Sequence, residues 1–265
     1  MAAIRRGYVD TPGGQVHYRH RPGEGVPVVC FHQTASSSAM FERLMGAYAG
    51  ANPVYALDTP GFGGSYDPPG KPSMSEYADV LAAAIRGLGL PAVHLFGHHT
   101  GACLAIEIAV RYPALARSLA MIGPVTITRD EAGFFKTLYP KDFQIRADGS
   151  HLARMWEYVA SIGGNSSVEL HHREFTDTAR AWAGHLKVYS VIWDQDFTAL
   201  YAAVRCPLAI MCSPNDVLWP MFQRARELRP DARAFELGGS NFQPDEVPGD
   251  VARALREFVS SVAGG

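Results

Sequence analysis

Gly97-His98-His99-Thr100-Gly101 stands between the apolar run Ala92-Val93-His94-Leu95-Phe96 and the segment Ala102-Cys103-Leu104-Ala105-Ile106-Glu107-Ile108-Ala109-Val110. The first flank reads as a buried strand and the second as a helix. Strand, tight glycine turn and helix are the context of a G-x-Nu-x-G elbow, which thrusts its central side chain into a site. The flanking glycines tolerate the strained turn and let strand and helix approach closely. Here the central residue is His99, where a serine, cysteine or aspartate nucleophile is usual, so scaffold and chemistry have to be argued separately.

Outward from the turn, short apolar runs alternate with helical segments, which predicts a mainly parallel sheet with helices on both faces. Tyr8 to Arg19 reads as an opening hairpin around Pro12-Gly13-Gly14. Val26 to Phe31, Pro53 to Leu57 and Leu119 to Ile122 read as strands. Ser73 to Leu88 reads as a helix with a cap at Ser73-Met74-Ser75-Glu76 and a stop at Gly89. From Thr126 to Val204 no strong strand is evident. Helical stretches there carry Phe134, Phe135, Tyr139, Phe143, Trp156, Tyr158, Trp182, Tyr189, Trp193, Phe197 and Tyr201, interrupted by Gly163-Gly164-Asn165-Ser166-Ser167. This predicts a core domain formed by residues 1–125 and 206–265, with a helical cap, 126–205, inserted after the sixth strand. Pro207 to Met211 and Ala232 to Leu237 resume the strands, with helices at Met221 to Leu228 and Val247 to Val262.

With 265 residues and 47% hydrophobic content, the chain suits one large domain or a core with an inserted subdomain. A chain of this size buries roughly 75% of its unfolded surface, so it needs no metal or disulfide staple. A net charge of −2 without a long charged run gives no electrostatic case for nucleic acid. Met1 to Gly7 lacks the apolar run of a signal peptide, and nothing approaches the roughly 20 apolar residues of a membrane span. Cys30, Cys103, Cys206 and Cys212 show no C-x-x-C spacing and read as reduced residues. The expectation is a cytoplasmic protein with a small-molecule substrate, no nucleic-acid or membrane partner, and a homodimer as the possible assembly.

Four segments in order resemble the α/β-hydrolase superfamily over essentially the whole chain, and within it the capped group of haloalkane dehalogenases, epoxide hydrolases and C–C bond hydrolases. Phe31-His32-Gln33 with Ser36-Ser37-Ser38 is similar to the oxyanion loop after the third strand. Asp58-Thr59-Pro60-Gly61-Phe62-Gly63-Gly64-Ser65 is similar to the D-x-P-G-x-G-x-S loop after the fourth. Gly97 to Gly101 is similar to the elbow, and Ser213-Pro214-Asn215-Asp216 to the loop bearing the acid. The resemblance implies an α/β fold with a mostly parallel eight-stranded sheet. It also implies a site made of an elbow residue, an acid and a histidine. This chain departs from it at His99, at Gln33 where glycine is usual, and at Asn241 in Gly238-Gly239-Ser240-Asn241-Phe242, where the histidine is expected. The set becomes His99, Asn241 and Asp216.

A serine hydrolase needs a hydroxyl nucleophile and an adjacent base. The elbow offers no hydroxyl at its centre, and Thr100 occupies the position whose backbone N–H faces an oxyanion. The imidazole reaches further than a serine, toward Asn241 or Asp216, and a carboxylate partner would fix its tautomer and raise its basicity. The leading expectation is therefore a cofactor-free enzyme using His99 as general acid/base on a small apolar or carbonyl-containing substrate, by atypical hydrolysis, C–C cleavage, decarboxylation or cyclisation. Gln33 and Thr100 N–H groups would hold an oxyanion, with His32 shaping that loop. The alternative is a ligand-binding pseudo-hydrolase, because two of three family residues are changed; an ordinary esterase-like hydrolase is third. Trp193 and Trp219 are the pocket candidates, and His98 is expected to pack beneath the turn. His151, His171 and His172 read as solvated or core-edge residues of the cap. No metal is expected, since His32, His98, His99 and Asp216 lack tight ligand spacing, and no dinucleotide fingerprint is present.

Overall fold

The computed structural model describes residues 3–138 and 143–263, so Tyr139 of the aromatic series lies outside the described residues. Eight strands form one sheet: β1 (Arg5–Thr11), β2 (Gly14–Arg21), β3 (Val28–Phe31), β4 (Val54–Leu57), β5 (Val93–His98), β6 (Ala116–Ile122), β7 (Leu208–Cys212) and β8 (Arg233–Glu236). Their order is β1-β2-β4-β3-β5-β6-β7-β8. The β1–β2 and β2–β4 pairs are antiparallel and every later pair is parallel. The central strands β3, β5 and β7 are buried along their whole length, as strands covered on both faces must be.

The helices are α1 (Glu42–Ala47), α2 (Met74–Gly87), α3 (Thr100–Arg111), α4 (Arg129–Leu138), α5 (Ser150–Ser161), α6 (Val168–Arg180), α7 (Trp182–Tyr189), α8 (Phe197–Ala203), α9 (Trp219–Leu228), α10 (Gln243–Glu246) and α11 (Pro248–Ala263). Ser73 caps α2 with the reciprocal Ser73–Glu76 box that the sequence suggests. One apolar cluster joins α2, α3, α8 and α9 to one sheet face; a second, with Met40, Phe41, Leu44, Met45, Leu255 and Phe258, joins α1 and α11 to the other. The sequence reading leaves Ser38 to Ala47 without an element, yet a 3-10 turn and α1 form there. A six-residue helix is too short to show a periodicity, and burial of its Leu44 and Met45 holds it instead.

Helices α4 to α8 all lie between β6 and β7. Helix α6 is fastened to the loop after β3 by buried polar groups. Ser36 Oγ lies 2.9 and 2.8 Å from the two Glu174 oxygens, and Ser37 Oγ donates to Asp177 at 2.8 Å. Arg173 pairs with Glu174 at 2.8 Å and with Asp245 of α10 at 2.6 Å. Three carboxyl groups thus share one guanidinium away from water. Burial first, and then the neighbouring Glu174 carboxylate, push Asp177 up to about 7; burial also raises Asp245 to about 7 despite Arg173. His151 and His171 are buried; Arg146 N–H donates to His151 Nδ1, and the His171 ring stacks on Trp156 with centroids 3.7 Å apart. His172 is exposed.

The glycines of the elbow are required by backbone contact. A Cβ on Gly97 would lie 2.4 Å from the Gly101 oxygen, and one on Gly101 only 1.9 Å from the Phe31 oxygen. Neither neighbour is a movable side chain, so Gly101→Ala should destabilise the protein by at least about 2 kcal/mol in urea unfolding. A second expectation concerns the α6 fastening. A carboxyl raised in the folded state contributes stability that is complete below the unfolded value near 4 and lost as pH rises through about 7. Asp177→Asn, a permanently neutral analogue, should therefore raise the melting temperature relative to wild type at pH 8 and not at pH 4.

Candidate active site

The parallel strands deliver their chemistry at their carboxyl ends, where open α/β sheets bind ligands. His32 and Gln33 follow β3, His99 follows β5, Asp216 follows β7, and Asn241 and Gln243 follow β8. His99 has φ 49° and ψ −109°, and among the described residues it is the one non-glycine residue with positive φ. Such a conformation costs about 1–3 kcal/mol and persists only where surroundings over-determine it. The His99 N–H donates to Ile122 O at 2.9 Å, and its carbonyl accepts from Ala102 and Cys103 in the first turn of α3. The ring lies over Gly123, where a Cβ would come within 2.4 Å of His99 Cδ2.

This placement brings His99 Nε2 to 2.8 Å from Asp216 Oδ2. The Asp216 carboxylate also accepts from Gln243 Nε2 at 2.7 Å and from the Leu218 N–H at 2.8 Å. Burial by itself would raise this carboxyl; the His99 ring, the Gln243 amide and the Leu218 N–H outweigh it and hold Asp216 below the usual carboxylate range. An ionised carboxylate only accepts, so the proton between the pair is on His99 Nε2. In the neutral form of the ring Nδ1 is then the lone-pair nitrogen, and no described residue hydrogen-bonds to it.

The same polarity continues inward. Because Gln243 Nε2 donates to Asp216, its Oε1 must accept from His98 Nε2, 3.2 Å away. His98 does pack beneath the turn, fully buried, and burial followed by the neighbouring His99 holds its ring neutral, well below the ordinary histidine value. One buried negative charge thereby sets the orientation of an amide and the tautomers of two imidazoles.

Two adjoining cavities meet at His99, Thr100, Tyr189 and Val217. The smaller, about 70 Å³, is lined as well by Gln33, Thr34, Tyr158, Ile162 and Asn241. The larger, about 260 Å³, is lined mainly by apolar groups, Phe135, Ile192, Trp193 and Met221 among them. A hollow of about 570 Å³ lies around Arg129, Lys136 and Arg224, and it holds none of the elbow residues. The strained residue and the buried charge converge at the two smaller cavities.

The structure brings His99 together with Asp216 but gives Asn241 other work. Asn241 Oδ1 accepts from the Val217 N–H at 3.0 Å and its Nδ2 donates to Ile162 O at 2.8 Å, so it frames the cavity wall. Trp193 lines the larger cavity. Trp219 does not line either cavity; as the first residue of α9 it turns onto Phe222, with ring centroids 5.2 Å apart. Proximity to Asp216 in sequence misleads there because the helix begins between them. His32 is likewise removed from the cavities. Its Nδ1 donates to Gln33 O at 2.8 Å and its Nε2 accepts from Thr59 N–H at 3.0 Å, with burial lowering its pKa. Thr100 Oγ1 accepts the Thr34 N–H at 3.3 Å.

Among the described residues, His98, His99 and Asp216 each place a potential metal-ligating atom within 4.8 Å of the others, a grouping that the sequence spacing does not announce. Three donors already occupy the Asp216 oxygens at 2.7–2.8 Å, so the residues fit a hydrogen-bonded chain better than a cation. Gln243 escapes the sequence reading entirely; a buried glutamine at the first position of a four-residue helix carries no local signal of its partners.

Comparison with known proteins agrees with this architecture. A family model described as alpha/beta hydrolase fold matches residues 26–161. The chain is 22% identical to fluoroacetate dehalogenase of Burkholderia sp over 92% of its own length and 90% of that protein's. It is 29% identical to proline iminopeptidase of Heyndrickxia coagulans over 97% of this chain and 99% of the other. Among solved structures, E-2-(acetamidomethylene)succinate hydrolase superposes with a TM-score of 0.78 at 22% identity, covering 97% of this chain and 100% of that one.

The Asp216 network sets a pH dependence of stability. A carboxyl depressed on folding contributes stability that is complete above the unfolded value near 4 and lost as pH falls through the lower folded value. The stability difference between wild type and Asp216→Asn in urea unfolding should therefore be largest at pH 6 and shrink as the pH is lowered from 5 to 3.

Proposed function

The chain belongs to the alpha/beta hydrolase fold family, and we propose that it is a hydrolase or lyase in which His99, paired with Asp216, acts as general base on a small carbonyl-containing substrate without a covalent serine step. Residues 126–205 serve as its cap, contributing Tyr158, Ile162 and Tyr189 over the elbow. The observation that carries this reading is the 2.8 Å bond from His99 Nε2 to Asp216, which leaves Nδ1 as the basic atom at a cavity-lining residue. The dehalogenase, iminopeptidase and hydrolase names among the relatives support small-molecule bond cleavage as the coarse class.

In the hydrolytic form, Nδ1 takes a proton from water as the water oxygen attacks the substrate carbonyl carbon. The oxyanion so formed lies beside the Gln33–Thr34 and Thr100 backbone, at the start of α3, where N–H groups lack intrahelical acceptors. Collapse of the adduct breaks the bond to the leaving group, which takes the proton back from the His99 imidazolium. The water is thereby divided between the two products. For a 1,3-diketone the leaving group is an enolate carbon and the outcome is C–C cleavage; for an ester it is an alkoxide. Thr100 is the poorer candidate for a nucleophile because its hydroxyl oxygen accepts the Thr34 N–H.

A general base of this kind contributes about 100- to 10,000-fold. Cleavage of 1-phenylbutane-1,3-dione and of phenyl acetate should thus fall at least about 100-fold in His99→Gln, with a serine-directed fluorophosphonate labelling neither protein. Equal rates in wild type and His99→Gln would sink the base role. Tight binding of both compounds with no turnover in either protein would assign a ligand-binding protein instead.

A further inference from the structure

Gln243 is fully buried, and the proton transfers at His99 make no use of it. Its backbone is fixed by the segment around it. Asn241 is held by the Val217 N–H and the Ile162 carbonyl, Phe242 is buried, and Asp245 pairs with Arg173. The Gln243 side chain then spans from Asp216 to His98, with Nε2 at 2.7 Å from Asp216 Oδ2 and Oε1 at 3.2 Å from His98 Nε2. Asp216 Oδ2 is the same oxygen that accepts the His99 Nε2–H at 2.8 Å. The amide and the His99 ring therefore share one carboxylate oxygen.

A donor on that oxygen stabilises the ionised carboxylate and weakens its hold on a second proton. Two consequences follow for His99. The proton on Nε2 stays on the ring, so a further proton is taken at Nδ1. The imidazolium so formed is also stabilised less than by a carboxylate the ring has to itself, which lets the ring give the proton up again. The Gln243 donor does this without a charge, whereas a lysine or arginine in its place would cancel the carboxylate outright. An amide alone could turn its oxygen to Asp216 instead. His98 removes that freedom: with Nε2–H facing Oε1, the reversed amide would set two donors together at His98 and two oxygens together at Asp216. The cost falls on His98 Nδ1, which is buried and, among the described residues, has no hydrogen-bond partner. An acceptor left unpaired in the interior calls for a reason, and the direction that the ring imposes on Gln243 supplies one.

We propose that Gln243, oriented by His98, is a positioning residue for the base: it donates to the carboxylate oxygen that His99 uses and so sets how firmly the ring holds the proton it takes up. This rests on the reading of His99 as the base, and it adds a control on that base by two residues that line neither cavity. The other titratable groups around the elbow stand elsewhere. Cys212 on β7 is a thiol raised by burial, His32 after β3 is a ring lowered by burial, and Tyr158 and Tyr189 are on the cavity side.

The test is a heteronuclear NMR titration of the histidine rings, assigned with His98→Gln and His99→Gln. In the wild-type protein both neutral rings should carry their proton on Nε2. A proton on His98 Nδ1 would overturn the proposal, and this reading holds even if a variant at 243 fails to fold. Gln243→Met, of similar length but without a donor, should raise the midpoint of His99 protonation by at least about half a pH unit, because the carboxylate then answers only to the ring and the Leu218 N–H. His98→Phe should raise it as well, since the amide is then free to turn, while His98→Gln, which still offers an N–H to Oε1, should keep it near the wild-type value. Adding His98→Phe to Gln243→Met should move the midpoint no further, because His98 acts through the amide. An unmoved midpoint in Gln243→Met or His98→Phe, or full additivity in the double variant, would each overturn the proposal; a change in melting temperature alone would mark Gln243 as merely structural and do the same. The acid limb of diketone cleavage should move with the NMR midpoint. The two readings fail separately. A midpoint that moves as expected while His99→Gln cleaves at the wild-type rate removes the base alone. Cleavage that depends on His99, with midpoint and limb unmoved in Gln243→Met, removes the positioning role alone.

Discussion

The hydrogen bond between His99 and Asp216 is the constraint on which the arrangement of this site depends. It requires the ring to stand over Gly123, and it requires the elbow to hold a non-glycine residue at φ 49°. That conformation is unfavourable in isolation, so the surroundings must supply the difference. The N–H bond to Ile122 and the two bonds accepted by the His99 carbonyl do so locally. The close backbone approach of Gly97, Gly101 and Phe31 does so through packing, since it leaves the start of α3 no freedom to tilt. Strain, burial and charge therefore converge on one side chain, a combination rarely kept at a merely structural residue.

Charge is handled differently at the two buried acidic places in the molecule. Asp216 sits alone with three donors and is held ionised. Asp177 and Asp245 share Arg173 with Glu174, and burial leaves both carboxyls protonating near neutrality. The first arrangement suits a group that must remain a fixed negative partner for an imidazole. The second suits a fastening, where a protonated carboxyl bonds as well as an ionised one and the excess charge is avoided. Ser36 and Ser37, a few residues beyond Gln33, are what α6 is fastened to. The helical segment and the loop beside the elbow are therefore one mechanical unit.

The fold was largely legible because its signals are local. The glycine turn between an apolar strand and a helix, the Asp58 to Ser65 loop and the Ser73–Glu76 box each depend on residues close in sequence. The site was legible only where a loop position implies a direction: His99 and Asp216 follow from β5 and β7. Trp219 lies off the cavities because the turn closed by its N–H on the Asp216 carbonyl starts α9 and sends the ring onto Phe222, and Gln243 carries no local signal because its partners, His98 and Asp216, are 145 and 27 residues away. The sequence pattern pairs Asn241 with His99, yet its place between Val217 and Ile162 depends on the helical segment, whose placement no local pattern encodes.

Two of the three departures from the family pattern, His99 and Asn241, are physically related. In the usual arrangement a histidine at the position of Asn241 bridges the acid and a short nucleophile at the elbow. Here the elbow side chain is itself an imidazole and spans the gap to the acid. Once it does, both oxygens of Asp216 are engaged: one accepts the Leu218 N–H, and the other accepts both His99 and Gln243. A histidine at position 241 would then stand without a direct carboxylate partner and would leave the Val217 N–H and the Ile162 carbonyl without the amide that now meets both. An asparagine meets the two backbone groups that remain, one donor and one acceptor, with its own acceptor and donor. The asparagine at 241 therefore fits the imidazole at the elbow: His99 meets the acid directly, and position 241 serves the two backbone groups beside it.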